Sequence, residues 1–284
     1  MSAGLKFKKA VKESSPLLIV GAASPLVAML IERKGFQALY LSGGGYATFS
    51  FGLPDLGMTT PVELAEEARR IADRSSLPLL VDIDTGFGGP LMIERTVQLM
   101  EQAGVAAVHI EDQVFEKRCG HRQGKALVAK GLMQERIAAA VRGRKDPDFV
   151  IMARTDSPGI EKVGDVVKRA QAYREAGADM LFLEGSVDSE LFRVVKEECG
   201  LPLLVNLTEF GKCKILTASE LNAVGADMAL YPLTLNRVML GACSEALDEL
   251  RAGQGGLLEK MQTRVELYDL IGYHDLEARS KFKE

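Results

Sequence analysis

Apolar positions along this chain follow two different spacings. Short runs rich in Leu, Val and Ile, at 17–20, 38–43, 77–84, 106–112, 149–156, 180–185, 202–208 and 228–232, read as β-strands. Between them lie segments with apolar residues at helical spacing, such as 61–76, 91–104 and 165–178, the last two stopping at or beside a glycine. The strand runs are nearly continuous in hydrophobicity, which predicts burial on both faces, as in a parallel sheet covered by helices. Eight such strands are what a closed (β/α)8 barrel of the TIM type requires, and 284 residues suit one domain of that kind, which takes roughly 250. A doubly wound open sheet is the rival, but the chain has no GxGxxG or Walker-type loop. From about residue 235 to 284 the sequence stays helical after the eighth strand, a C-terminal extension expected to pack against a neighbouring subunit.

Composition narrows the partners. A formal net charge of -4 gives no general attraction to nucleic acid or anionic membranes. No apolar run reaches the roughly 18 residues of a membrane span, and residues 1–16 carry no apolar leader core, so a cytoplasmic protein is expected. Cys119, Cys199, Cys213 and Cys243 have neither CxxC nor zinc-type spacing, and the last three read as structural thiols.

The polar residues are informative by position. Six predicted strands end in them: Ser42; Asp82 and Asp84; Glu111 and Asp112; Arg154 and Asp156; Glu184; Asn206 and Thr208. In a barrel these ends meet at the C-terminal rim, where active sites of the fold lie. Asp82 and Asp84, two apart on a predicted strand, point to one face, and carboxylates that close repel unless a cation or proton separates them. A hard divalent ion such as Mg²⁺ suits them, with Glu111 holding a bound water; the plainer alternative is a loop or cap role. The glycines after Ser42 could offer backbone N–H groups to an anion, and Arg154 and Arg237 supply fork-shaped donors for carboxylates. A small polycarboxylate held by magnesium is the expected ligand. His109 reads equally as an interior or a site residue, and His274 as a surface one.

The stretch EKRCGHRQGK surrounds Cys119 with Lys117, Arg118, His121, Arg122 and Lys125 and flanks it with Gly120 and Gly124. Cations favour the thiolate, so Cys119 could attack as a nucleophile with His121 as base, or deliver a proton to a carbanion.

Taken together, KRCGH, SGGG, LPDLG, DIDTGFG, HIEDQ, ARTD, NLTEFG and MQTR resemble the isocitrate lyase and phosphoenolpyruvate mutase superfamily, and most closely its 2-methylisocitrate lyase branch, over essentially the whole chain. The resemblance implies a barrel assembled as a homotetramer with a C-terminal helix exchanged between partners. It also implies Mg²⁺-dependent cleavage of 2-methylisocitrate to pyruvate and succinate in propionate catabolism, with Mn²⁺ as a possible substitute. By the same resemblance Ser42, Gly43 and Gly44 bind the pyruvate carboxylate. Asp82 and Asp84 hold the metal, with Asp55 and Glu111 in its outer shell. Cys119 and Gly120 lie on a gating loop, where Cys119 is the proton donor, and Arg154, Glu184, Asn206, Thr208, Arg237 and Arg264 contact substrate. Lys117, Tyr46 or a metal-bound water are candidates for the base. The stretch GKCKILTASE and the TLN of YPLTLNR depart from the branch, leaving 2,3-dimethylmalate or another 2-hydroxy diacid as an alternative substrate. A phosphonomutase, an oxaloacetate-cleaving enzyme and an inactive binding protein are further readings, each less compatible with an intact KRCGH loop. The long insertion of true isocitrate lyases is missing.

Overall fold

A computed structural model describes residues 1–280 except 121, 123, 213 and 254. The expectations for His121 and Cys213 therefore lie outside the described residues. Helix α1 (Ala3–Glu13) precedes β1 (Leu17–Gly21), α2 (Pro25–Arg33), β2 (Ala38–Leu41), α3 (Gly43–Phe51), α4 (Pro61–Ala72), β3 (Leu79–Asp82) and α5 (Pro90–Gln102). Then follow β4 (Ala107–Glu111), α6 (Lys130–Gly143), β5 (Val150–Thr155), α7 (Val163–Glu175), β6 (Met180–Leu183) and α8 (Ser189–Cys199). The last pairs are β7 (Leu203–Asn206) with α9 (Ala218–Val224) and β8 (Met228–Tyr231) with α10 (Thr234–Arg251), before α11 (Arg264–Ile271) and α12 (Tyr273–Arg279).

The eight strands form a closed barrel in chain order. It closes through parallel pairing of β1 with β8, with Leu17 opposite Met228 and Ile19 opposite Leu230. Successive side chains on a strand alternate faces, so each strand feeds two cores. Outward residues such as Leu39, Val81, Val108, Ile151, Leu181 and Val205 pack with Leu64, Val97, Ile137 and Phe192 of the surrounding helices. Inward residues, among them Ile19, Leu80, Val150, Met152, Leu204 and Leu230, form a second core with Phe7 and Val11 of α1, which plugs the N-terminal mouth. Each fully buried Leu, Ile or Val contributes about 1.5–3 kcal/mol, so both faces must be apolar until the strands approach the opposite mouth. This explains the unbroken apolar runs of the sequence.

Three local differences matter for the site. The expected strand over 77–84 ends at Asp82, and the chain turns at Asp84, whose φ of 49° is left-handed. The two carboxylates thus converge through a turn and not through strand alternation. The glycines after Ser42 are not a loop: they begin α3, because the Ser42 side chain accepts from Gly45 N–H and Gly52 stops the helix at φ 67°. Their poor helix propensity is overridden by these two caps. Finally, Asp112, one residue after inward Glu111, faces away from the barrel interior, where Thr155 and Tyr173 Oη donate to it at 2.6 and 2.7 Å.

After β8, α10 buries Asn236 but exposes Val238, Leu240, Leu247 and Leu250. Helix α11 is tied to α2 by an ion pair of 2.6 Å between Arg33 and Asp269. Cys199 is buried as expected, whereas Cys243 is an exposed thiol on α10. His274 is exposed.

Candidate active site

The inward positions near the C-terminal mouth are Tyr40 on β2, Asp82 on β3, His109 and Glu111 on β4, Arg154 on β5, Phe182 on β6 and Asn206 on β7. Extending the period of two past the strand ends adds Ser42, Glu184 and Thr208. A cavity of about 180 Å³ opens there. Of the residues expected from sequence, Ser42, Gly44, Asp55, Asp82, Lys117, Cys119, Gly120, Arg154, Glu184, Asn206, Thr208 and Arg237 line it. Gly43, Asp84 and Glu111 lie behind that lining. Arg264 does not reach it in the single chain; it is exposed at the start of α11.

Asp82 and Asp84 meet over Gly43. Its N–H donates to Asp82 Oδ2 at 3.3 Å, and a Cβ at this position would sit 3.2 Å from Asp84 Oδ1 and 3.3 Å from Asp82 Oδ2. A larger residue here would press on both carboxylates by a few tenths of an ångström. Lys117 Nζ stands 2.5 Å from both Asp84 Oδ1 and Asp55 Oδ1. Burial, and then the charge of Asp82, push the Asp84 carboxyl up to about 7. Asp82 is also raised by burial, but His109, Lys117 and Arg154 outweigh this and hold it below the usual carboxylate range. Burial would release the Lys117 proton, yet Asp84, Glu111, Asp82 and Asp55 together keep it firmly an ammonium.

His109 is an interior residue that supports the site. Its Nε2 is 2.9 Å from Tyr40 Oη, and its Nδ1 is 3.6 Å from Asp82 Oδ1. Burial lowers its pKa to about 4, so the ring is neutral near pH 7. Burial likewise raises Glu111 well above the carboxylate range, and its Oε1 has no hydrogen-bond partner among the described residues.

The carboxylate pair with the orphaned Glu111 oxygen is a set of hard oxygen donors. Among the described residues no three His, Cys, Asp or Glu side chains form a ready-made cage. Mg²⁺ does not need one, since it binds through one or two carboxylates and fills its shell with waters and substrate oxygens. The residues present fit that ion.

The opposite wall carries the guanidinium groups. Arg154 is held by Asp156 through Nε–Oδ2 at 3.0 Å and Nη2–Oδ1 at 3.3 Å, lies 3.3 Å from Glu111 Oε2, and sits 5.2 Å over the Phe182 ring. Arg237 is half-exposed, 3.9 Å from Glu209 and 5.5 Å from the Phe210 ring. Asn206 Nδ2 donates to Glu184 Oε2 at 3.2 Å. Above them Cys119 and Gly120 form a roof. Tyr46 packs edge-on against Phe51 and lies outside this lining; burial raises its phenol to about 12.

Sequence reading missed Tyr40, Thr48, Phe182, Pro232 and Leu233, which also line the cavity. Tyr40 and Phe182 were detectable, because each stands two residues before a predicted site residue and so shares its face.

Residues 7–251 match the family described as phosphoenolpyruvate phosphomutase. The chain is 49% identical over 280 residues to a 2-methylisocitrate lyase of Shewanella oneidensis, covering 98% of this chain and 96% of that relative. A solved 2,3-dimethylmalate lyase, described as a PEP mutase/isocitrate lyase superfamily member, aligns with TM-score 0.87 at 35% identity, covering 98% of this chain and 94% of its own. A phosphonopyruvate hydrolase in complex with oxalate and Mg²⁺ aligns with TM-score 0.82 at 28% identity over 98% of each chain. Agreement in sequence over nearly the full length, and in the barrel that presents the site, means that the chain belongs to the isocitrate lyase and phosphoenolpyruvate mutase superfamily.

Proposed function

We propose that the chain is a Mg²⁺-dependent carbon–carbon lyase that cleaves 2-methylisocitrate to pyruvate and succinate in cytoplasmic propionate catabolism. The observation that carries this reading is the roof: Cys119 shares one cavity with Asp82 and Arg154. The relative named 2-methylisocitrate lyase, at 49% identity, supports the choice of substrate.

The reaction passes the proton of the substrate hydroxyl to a water molecule, forms the pyruvate carbonyl as the carbon–carbon bond breaks, and leaves a succinate carbanion that takes its proton from Cys119, whose thiolate is re-protonated from solvent after product release. Asp82 and Asp84, with Asp55 and Glu111 near them, would hold magnesium, which when bound would supply Lewis-acid stabilisation of developing negative charge. Mn²⁺ meets the same oxygen donors. Ser42 and the Gly44 N–H receive the pyruvate carboxylate at the start of α3, beside Gly43, whose own N–H is given to Asp82, and the helix dipole there favours an anion. Arg154 and Arg237 hold the remaining carboxylates, with Asn206, Thr208 and Glu184 fixing their orientation. Lys117, a firm ammonium, acts as a donor that offsets the acidic cluster. Cys119 hands its proton to the carbanion, and the roof excludes water that would otherwise compete. Phe182, Pro232 and Leu233 are the apolar surface available to a methyl branch.

A second reading, cleavage of 2,3-dimethylmalate, rests on the structural likeness to a lyase of that name at 35% identity, below the 49% shared with the 2-methylisocitrate lyase. One missing or added methyl group is worth about 1–3 kcal/mol, so the two substrates are separable by kcat/KM. The test is detection of the product each acid would release: pyruvate from 2-methylisocitrate, 2,3-dimethylmalate and phosphonopyruvate, glyoxylate from isocitrate, and oxalate or pyruvate from oxaloacetate. Pyruvate and succinate in equal amounts from the first, lost on adding EDTA, is the expected result. Silence on 2-methylisocitrate with turnover of another acid refutes the substrate assignment.

We also infer that 1–284 acts as one catalytic domain and assembles as a homotetramer, with about 235–284 exchanged between subunits. The exposed apolar residues Leu240, Leu247 and Leu250, which helical spacing puts on one side of α10, support this, since exposed apolar side chains grouped on one face mark an interface.

A further inference from the structure

The segment that carries Cys119 is fixed at two points, and the second has no role in the reading above. Its two limbs pair at the base: Val114 N–H donates to Ala126 O and Val128 N–H to Asp112 O, both at 2.9 Å, with Gln113 bridged to Leu127. On the outgoing limb the Gln113 amide grips the Arg118 peptide from both sides, donating to its O at 2.9 Å and accepting from its N–H at 3.1 Å. On the return limb Lys125 Nζ donates to Asp156 Oδ1 at 2.8 Å, with side-chain exposures of 2% and 0%.

Asp156 is also the carboxylate that holds Arg154. Its Oδ2 takes Arg154 Nε at 3.0 Å, while Oδ1 is shared between Lys125 and Arg154 Nη2, the latter at 3.3 Å. The same Nη2 lies 3.7 Å from Glu184 Oε2 at the cavity wall. An oxygen already satisfied by an ammonium competes less for a guanidinium arm. With Lys125 seated, Arg154 therefore keeps one arm directed to the cavity; with Lys125 withdrawn, Asp156 can close a symmetric fork and draw that arm back.

We propose that Lys125 is a positioning residue that links seating of the Cys119 roof to presentation of Arg154 to a substrate carboxylate. The proposal rests on the lyase reading for its kinetic consequence, but not for its structural one. Proton donor and anion fork are assembled together: when the return limb lifts, Cys119 leaves the cavity and Arg154 loses its alignment. Premature protonation and futile binding are both avoided by this arrangement.

The test compares Lys125→Met, which keeps the apolar stem but removes the charge, with Lys125→Arg, which preserves it. Two readouts are taken: steady-state pyruvate release, and peptide-resolved alkylation of each cysteine by iodoacetamide. Lys125→Met is expected to lower kcat about 30- to 100-fold and to raise KM, because misplacing reacting groups by an ångström costs about that much. Alkylation of Cys119 is expected to rise about tenfold, as local opening exposes it without global unfolding. Exposed Cys243 and buried Cys199 should keep their wild-type rates, and Lys125→Arg should restore most of both readouts. Unchanged kcat and unchanged Cys119 labelling overturn the proposal. Parallel acceleration at Cys119 and Cys199 also overturns it, since the pair would then only hold the fold together. The labelling arm needs no substrate, so it decides the matter even if 2-methylisocitrate is not cleaved.

Discussion

Gly120→Ala adds one methyl group at the point where the Cys119 roof touches the cavity wall. The added Cβ would lie 2.5 Å from Arg154 Nη2, 2.5 Å from Glu184 Cγ and 2.8 Å from Glu184 Cδ. Non-bonded heavy atoms rest at about 3.5–4.0 Å, so a gap of roughly 1 Å must be found. The wall resists, because Asp156 and Glu111 hold Arg154 and Asn206 donates to Glu184. The roof has to lift instead, and Cys119 rises with it. Overpacking of this size costs about 1–3 kcal/mol, and each 1.4 kcal/mol is about tenfold in rate. The expected result is a kcat reduced about 10- to 100-fold in the pyruvate-release assay. The melting temperature should barely change, since a lifted roof relieves the clash without disturbing the barrel. Gly131→Ala is the control: nothing lies within 4 Å of its added Cβ, on helix α6, and activity should be unaffected. A Gly120→Ala enzyme within twofold of wild-type kcat would show that the roof is not seated this closely during turnover. A lowered melting temperature with normal kcat would refute the reasoning differently, by placing the strain in the fold.

Cys119→Ser, which replaces the thiol by a much weaker acid, should reduce cleavage by at least about 10²-fold while leaving Mg²⁺ affinity within twofold, measured by pyruvate release and calorimetry. With its carboxyl raised to about 7 by burial and by Asp82, Asp84 must lose a proton when it takes up a cation. Mg²⁺ affinity should therefore fall about tenfold for each pH unit below 7 and level off above it, and calorimetry in buffers of different ionisation enthalpy should show proton release at pH 6. Affinity independent of pH from 5.5 to 8 would count against that carboxyl as a ligand. Gly43→Ala, whose Cβ would sit 3.2 Å from Asp84 Oδ1, should weaken Mg²⁺ binding about tenfold, read by the EDTA concentration that halves activity.

The barrel was legible because parallel strands buried on two faces leave an unmistakable mark, and all eight predicted runs correspond to strands. Their ends were less legible, since apolar pattern does not report where pairing stops. The 77–84 run ends at Asp82, and only the left-handed φ of Asp84 brings the second carboxylate back beside the first. Helix α3 was hidden for the opposite reason: three glycines argue against a helix, and the caps at Ser42 and Gly52 that override them act through geometry.

The charged residues show the same division more sharply. Position at a strand end was enough to group Asp82, Glu111, Arg154 and Asn206 at one mouth, because that rule needs only the fold. It could not say which charge answers which. Lys117 in sequence is one cation among several beside Cys119; in the structure it lies between Asp55 and Asp84, 62 and 33 positions away, and is committed to the ammonium form. Lys125 and Arg154 look equivalent as basic residues near a rim, yet they meet on a single oxygen of Asp156. Such pairings depend on loop paths that carry no periodic signal, and they decide which cations bind substrate and which hold the site in shape. Strand ends and a cysteine-bearing loop therefore locate the site, and the resemblance carried by their motifs implies the reaction class, whereas the division of labour among the cations follows only from three-dimensional contact.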